Sequence, residues 1–245
     1  MAKDFNSPKI VEEYDQHIRK LIPGYEIIHQ QVDAILQSVL QPTAHILIVG
    51  CGTGYELENL LNRHPNWKFT ALDPSLAMLE KAEIRVKQMG KSAQVQFVHG
   101  DHFALTEGAG FDAALSILVA HFIADEQKTD FYSSIHRCLK NSGLLLTYDL
   151  MPCSNPQHLQ ALRYLCMAQG LTELQCQKML DRMENDFFTI SFSEYQQRLQ
   201  GIGFEDVHSY SQILMYQGLI AKKAEIAEFA QASYPKGLIH NGIND

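Results

Sequence analysis

Three glycines, Gly50, Gly52 and Gly54, follow the apolar run His45–Val49, and the next apolar run, WKFTALD, ends at Asp73. A buried strand running into a glycine-rich turn, with an acidic residue about 20 positions on, is the layout of a nucleotide site at the carboxyl edge of a parallel sheet. The glycine spacing selects among nucleotides. A dinucleotide fingerprint needs G-x-G-x-x-G, and its third slot is occupied by Tyr55, whose ring blocks the close helix–strand approach a glycine permits. No Lys-Ser/Thr follows the turn, which excludes a P-loop. What remains is a turn formed by Gly50, Cys51, Gly52 and Gly54 whose backbone lies against an uncharged or zwitterionic adenosine ligand. Asp73 would accept both ribose hydroxyls. It also stands where a cap is needed for the helix opened by Pro74-Ser75, and both roles are compatible.

Other residues with chemistry sit at the carboxyl ends of later apolar runs. His121 follows FDAALSILVA, and imidazole is the side chain suited to proton transfer near neutral pH. It serves either as a general base or as a cap of the next helix. Tyr148 and Asp149 end the run LLLTYDL; Asp149 is a base, a partner for an acceptor's amine, or a loop cap. His99 and His102 flank Asp101 without a third ligand at metal spacing, so no metal site is expected. Phe187, Phe188, Phe192, Tyr195 and Phe204 either wall a substrate pocket or simply pack.

These positions require a sheet to hold them. Strands are predicted near 44–49, 67–72, 94–98, 111–116 and 143–149, and helices near 54–64, 75–89 and 126–140, with Asn141-Ser142-Gly143 closing the last helix. Such alternation predicts a parallel α/β sheet with right-handed crossovers. Before it, Ser7-Pro8 opens a helix with Ile10, Tyr14, Ile18 and Leu21 at helical spacing. Pro23-Gly24 breaks it, and a second helix runs to Gln41-Pro42. After Asp149, residues 155–169 and 172–184 read as two helices separated by Gly170. Ser193 then caps a helix ending near Gly203, and EDVHSYS and ILMYQGLIA form a closing hairpin. The expected division is a helical cap (1–42), a nucleotide-binding core (43–150), a helical insertion (151–192), a last helix and strands completing the sheet (193–232), and a loose tail (233–245).

With 245 residues and a net charge of −8, the chain suits one α/β domain with extensions and argues against a broad phosphate-binding surface, so no nucleic-acid partner is expected. Five cysteines without a CxxC pair read as reduced thiols rather than a disulfide or zinc framework. MAKDFNSPKI lacks the apolar core of a secretory leader, and no apolar run approaches 18 residues, so a cytoplasmic protein without a membrane association is expected.

The Gly50–Gly54 turn resembles motif I of the class I S-adenosylmethionine (SAM) methyltransferases. That resemblance implies a Rossmann-like, seven-stranded, mostly parallel sheet, SAM as methyl donor and S-adenosylhomocysteine as product. It places an acidic residue, here Asp101, on the adenine amino group, with His102 lining the ring. Amides of the glycine turn and the following helix would favour the methionine carboxylate. A sulfonium methyl group is already activated, so positioning and exclusion of water suffice and a base is optional. The acceptor is expected to be a small molecule.

Two stretches, LIPGY at 21–25 and Leu171–Lys223, are similar to the carboxy-S-adenosylmethionine synthase branch, whose members use SAM and prephenate in a pathway modifying the tRNA wobble uridine. In that branch the tyrosine of PGY and the arginine of R-L-x-x-x-G-F contact the donor end of the cofactor, which implies Tyr25 and Arg198 here, the arginine crossing a homodimer. A guanidinium suits an extra carboxylate and not a sulfonium. The chain departs from the branch at Gly52-Thr53-Gly54, where Ser-Leu-Gly is usual, and at Ser116, where an asparagine is expected. The readings are thus a small-molecule methyltransferase, a carboxy-SAM synthase, and a non-catalytic SAM-binding module.

Overall fold

The computed structural model describes residues 5–225. The first helices, α1 (Pro8–Leu21) and α2 (Tyr25–Val39), are followed by β1 (His45–Val49), α3 (Tyr55–Arg63), β2 (Lys68–Asp73), α4 (Leu76–Gln88), β3 (Val95–His99), β4 (Phe111–Ile117), α5 (Lys128–Cys138) and β5 (Leu139–Leu150). Helices α6 (Pro156–Ala168), α7 (Glu173–Asn185) and α8 (Phe192–Ile202) precede the hairpin β6 (Phe204–Ile213) and β7 (Tyr216–Lys223). All seven strands form one sheet in the order β3-β2-β1-β4-β5-β7-β6, and only β7 runs antiparallel to its neighbours.

Strand alternation decides which helices each face receives. Ile46 and Ile48 of β1 join Leu146, Tyr148 and Leu150 of β5 in a core shared with α1–α4, α6 and α7. Leu47 and Val49, with Leu145, face the opposite core with Phe131 and Ile135 of α5 and Leu199 of α8. The strand order reverses between β1 and β4, and at such a switch point the two diverging crossovers leave a crevice beyond the carboxyl ends of the strands. Among the described residues no helix is long and apolar enough to cross a membrane.

Several boundaries differ from those read off the sequence. The cap of α8 is Ser191, not Ser193: its hydroxyl accepts from the Glu194 amide (3.3 Å) while the Glu194 carboxylate accepts from the Ser191 amide (2.7 Å). This reciprocal pairing satisfies two otherwise open donors. Asn141-Ser142-Gly143 does not close a helix but lies inside β5, because α5 already stops at Cys138 and Leu139 pairs with Phe111. In the final hairpin Ile213 ends β6 and pairs with Tyr216, so Leu214-Met215 is the turn, with Leu214 at φ +53°. The expected loose tail, 233–245, lies outside the described residues.

Gly54 shows how tightly the crevice is built. It caps α3 with φ +82°, and a Cβ added there would lie 2.9 Å from Ala82 Cβ and 3.1 Å from its backbone Cα. Left-handed strain and the clash with α4 add, so Gly54→Ala is expected to cost about 3 kcal/mol, read as a lower denaturation midpoint at unchanged m value.

Candidate functional site

The crevice holds two adjoining cavities. The larger, about 1200 Å³, is lined by Gly50, Cys51, Gly52 and Thr53 of the glycine turn, Glu56, Asp73-Pro74-Ser75, and Ile117–Val119 beyond β4, and is closed by Tyr14 of α1 and Tyr25 of α2. The smaller lies between α1 and α7 and takes its walls from Ile18, Met179, Arg182, Met183, Phe187 and His121. Phe5, Tyr14, Leu118 and Phe122 line both, so the two spaces meet at these side chains.

Backbone chemistry fixes the first cavity. Gly50 N and Cys51 N both donate to Leu72 O (2.8 and 2.9 Å), Gly52 N donates to Asp73 Oδ2 (2.7 Å), and Gly54 N donates to Cys51 O (2.9 Å). Four of the five turn amides therefore hold the turn itself, with Thr53 the exception among the described residues. Of the amides expected to favour a carboxylate, those of the turn and of the start of α3, four turn amides already carry these bonds. Nothing lies within 4 Å of a Cβ built on Gly52, so the cavity floor is open against bare backbone. The second oxygen of Asp73 accepts from Ser75 N (2.8 Å), and each carboxylate oxygen keeps a further lone pair for a ligand hydroxyl. Burial pushes the Asp73 carboxyl up, and the amides of Ser75 and Gly52 pull it back. The charged residues of this lining are Glu56 and Asp73, both acidic, which matches a ligand bearing a sulfonium and an ammonium.

At the second cavity His121 and Asp149 come together. His121 sits in the 3-10 turn Ala120–Phe122 beyond β4, and Asp149 is fully buried near the end of β5. Asp149 Oδ1 meets His121 Nδ1, and Oδ2 accepts from the His121 amide (3.1 Å) and Tyr195 Oη (3.3 Å). A carboxylate only accepts, so Nδ1 carries the proton and Nε2 is the nitrogen left as a proton acceptor. The turn is held from beneath by Lys128, whose fully buried ammonium donates to Ala120 O and to Ile123 O (2.8 Å). Burial lowers the Lys128 pKa, while Asp149 and Asp125 oppose that shift.

Gly50, Cys51, Gly52, Asp73, Pro74 and Tyr25 thus share the lining of the larger cavity, and Gly54 packs behind it against Ala82. Four expected residues do not. Asp101 turns its carboxylate to Phe103 N (2.9 Å), and His102 packs against Phe103 and Phe131, with centroids at 4.1 and 5.4 Å. Neither reaches the cavity. Ser116 is wholly buried within β4 and paired with Thr147, whereas the following residues Ile117–Val119 form the wall. Arg198 lines neither cavity in the single chain; its guanidinium donates to Asp125 Oδ1 (2.8 Å) and Asp125 O (2.9 Å). Of the five aromatics named above, only Phe187 lines a cavity. Tyr195 and Phe204 are core, Phe192 packs on that core, and Phe188 is exposed. Glu56, Tyr14, Phe5 and Arg182 were not indicated by the sequence.

Residues 46–143 match the family model described as a methyltransferase domain. A SAM-dependent methyltransferase domain therefore spans these residues. The chain is 26% identical over 231 residues to the carboxy-S-adenosyl-L-methionine synthase of Desulfotalea psychrophila, covering 91% of the chain and 92% of that protein. It is 23% identical over 227 residues to the synthase of Escherichia coli K12, covering 89% and 91%. A putative O-methyltransferase from Nostoc punctiforme shares its fold at TM-score 0.61 and 16% identity, over 88% of the chain and 60% of that structure. SAM is the cofactor that this domain and these relatives imply.

Proposed function

We propose that the enzyme methylates a small, largely apolar acceptor that carries an ionisable hydroxyl or amine, with His121 as general base. The observation that carries this reading is His121, held by the buried Asp149, on the wall of a second cavity adjoining the donor cavity. SAM supplies an electrophilic methyl group when bound. Tyr14, Phe122, Phe187 and Met179 would hold the acceptor in line and keep water out. His121 Nε2 would take the proton that the acceptor's oxygen or nitrogen gives up as it gains the methyl group, and Asp149 would stabilise the resulting imidazolium. Enclosure by α1 and α7 and the net charge of −8 support a small molecule over a nucleic acid, and the same two helices make the cap and insertion covers of the acceptor site. We place the enzyme in the cytoplasm as a homodimer, on the family resemblance.

The second reading is carboxy-SAM synthesis. It is favoured by the relatives of that name and by Tyr25 lining the donor cavity. It needs a cation beside the donor carbon. Arg198 is engaged with Asp125, so within one protomer the donor cavity has no cation in its lining among the described residues. Mass spectrometry of the small molecule released from the denatured protein separates the two. SAM or S-adenosylhomocysteine is expected; a species one carboxyl heavier than SAM would replace the methyl-transfer reading with the synthase one.

A further inference from the structure

Glu56 is the second residue of α3, and its side chain is 10% exposed where it lines the donor cavity. A carboxylate buried without a cation is costly unless a ligand brings one. Every cation nearby is committed elsewhere. On α4, Arg85 pairs with Asp15 and with Glu58 (2.9 Å). On α1, Arg19 pairs with Glu26 (2.9 Å) and covers the Tyr55 ring. His29 of α2 is closest, with Nε2 3.8 Å from Glu56 Oε1, but burial drives its pKa down to about 3, so it is neutral and cannot compensate the charge. The remaining groups facing Glu56 are Tyr14, Tyr25 and Cys51, which burial keeps protonated, and the acids Asp15 and Asp73, which repel a negative charge.

Asp73 takes one end of the same cavity for the ribose, which leaves Glu56, in the first turn beyond the glycines, for the amino-acid end of the donor. We propose that Glu56 is the counter-charge of the α-ammonium of SAM. This rests on the assignment of the larger cavity to SAM, not on the acceptor. Burial raises the Glu56 carboxyl to about 7, with a hydrogen bond from its own backbone amide and then Arg85 pulling it back and Asp15 and Asp73 adding to the rise. The ligand-free protein therefore holds this proton below pH 7. The bound ammonium favours the carboxylate, so binding expels the proton, and affinity grows with pH until Glu56 is already ionised. Stability runs the other way. The unfolded chain loses this proton at ordinary carboxylate pH and the folded chain does not, so the ligand-free fold weakens as pH rises from about 4.5 towards 7.

Calorimetry with two probes tests this. S-adenosylhomocysteine carries the amino-acid end, and 5′-methylthioadenosine shares the adenosine and lacks it. For the wild-type protein, homocysteine-probe affinity should rise roughly eightfold from pH 6.0 to 7.5. Its binding heat should vary with buffer ionisation, showing proton release. The methylthioadenosine affinity should not rise. Glu56→Gln should bind S-adenosylhomocysteine roughly tenfold more weakly at pH 7.5 and lose the pH slope, with methylthioadenosine within twofold of wild type. The ligand-free variant should melt at a higher temperature than wild type at pH 8, which shows that it folds. Equal weakening of both probes, or a pH slope that survives in the variant, overturns the proposal. If the wild-type protein binds neither probe, the cavity assignment falls and the proposal with it.

Discussion

Asp73→Ala is expected to weaken S-adenosylhomocysteine binding at least a hundredfold. The carboxylate joins three elements: it fixes the Gly52 amide, it fixes the Ser75 amide at the start of α4, and it is the acceptor for the ribose hydroxyls. Removing a buried acceptor leaves two amides unsatisfied, which adds about 2–4 kcal/mol of lost stability to the lost ligand contacts. Asp73→Asn separates these effects, because the amide oxygen can still accept from one of the two backbone donors. That variant should recover part of the thermal midpoint while remaining poor at binding. Calorimetry beside thermal melts gives both numbers, and unchanged affinity in Asp73→Ala would sink the assignment of this cavity to the donor.

The second large effect is expected at His121. His121→Asn should lower kcat by roughly 10²–10⁴-fold once an acceptor is in hand, with S-adenosylhomocysteine affinity unchanged. The imidazole lines the acceptor cavity and not the donor cavity, so loss of the donor would have no structural basis. Asp149→Asn should lower kcat comparably and also destabilise the fold, because Asp149 accepts from the amides of His121 and Leu150 (2.8 Å) and from Tyr195. If His121→Asn keeps full kcat, positioning alone drives the transfer and the histidine is merely part of the cavity wall.

Much of the donor side was legible because it is backbone chemistry. A glycine at a left-handed turn and an acid at a strand end leave a spaced signature, and Gly50, Gly52 and Asp73 fall where that signature places them. His121 and Asp149 were each visible as residues at strand ends. Their pairing was not, because it depends on β4 and β5 lying side by side and on a turn that brings an imidazole back over the neighbouring strand. Glu56 was hidden by its setting. On a helix it reads as an ordinary first-turn acid, and only the packing of α1 and α2 over it makes it buried. Helical spacing correctly gave an inner face to α1, yet it cannot tell a residue that fills a core from one that faces a void, and so Tyr14 passed as packing. Leu214-Met215 misled for the opposite reason. An apolar pair reads as strand, but it forms the hairpin turn because Met215 is buried in the core that α1 and α2 share.

Two stretches far apart in the chain, Phe5 to Ile22 and Met179 to Phe187, supply most of the smaller cavity's wall, and Leu118, His121, Phe122, Leu150 and Tyr216 complete it. The glycine turn, Asp73 and the 3-10 turn carrying His121 all come from the stretch between them. Most of the smaller cavity's wall is therefore encoded apart from the glycine turn and Asp73 of the larger one. Substitutions in α1 and α7 can reshape the acceptor space without moving a strand of the sheet. Descendants of one such chain can accordingly diverge in substrate while inheriting the same donor chemistry.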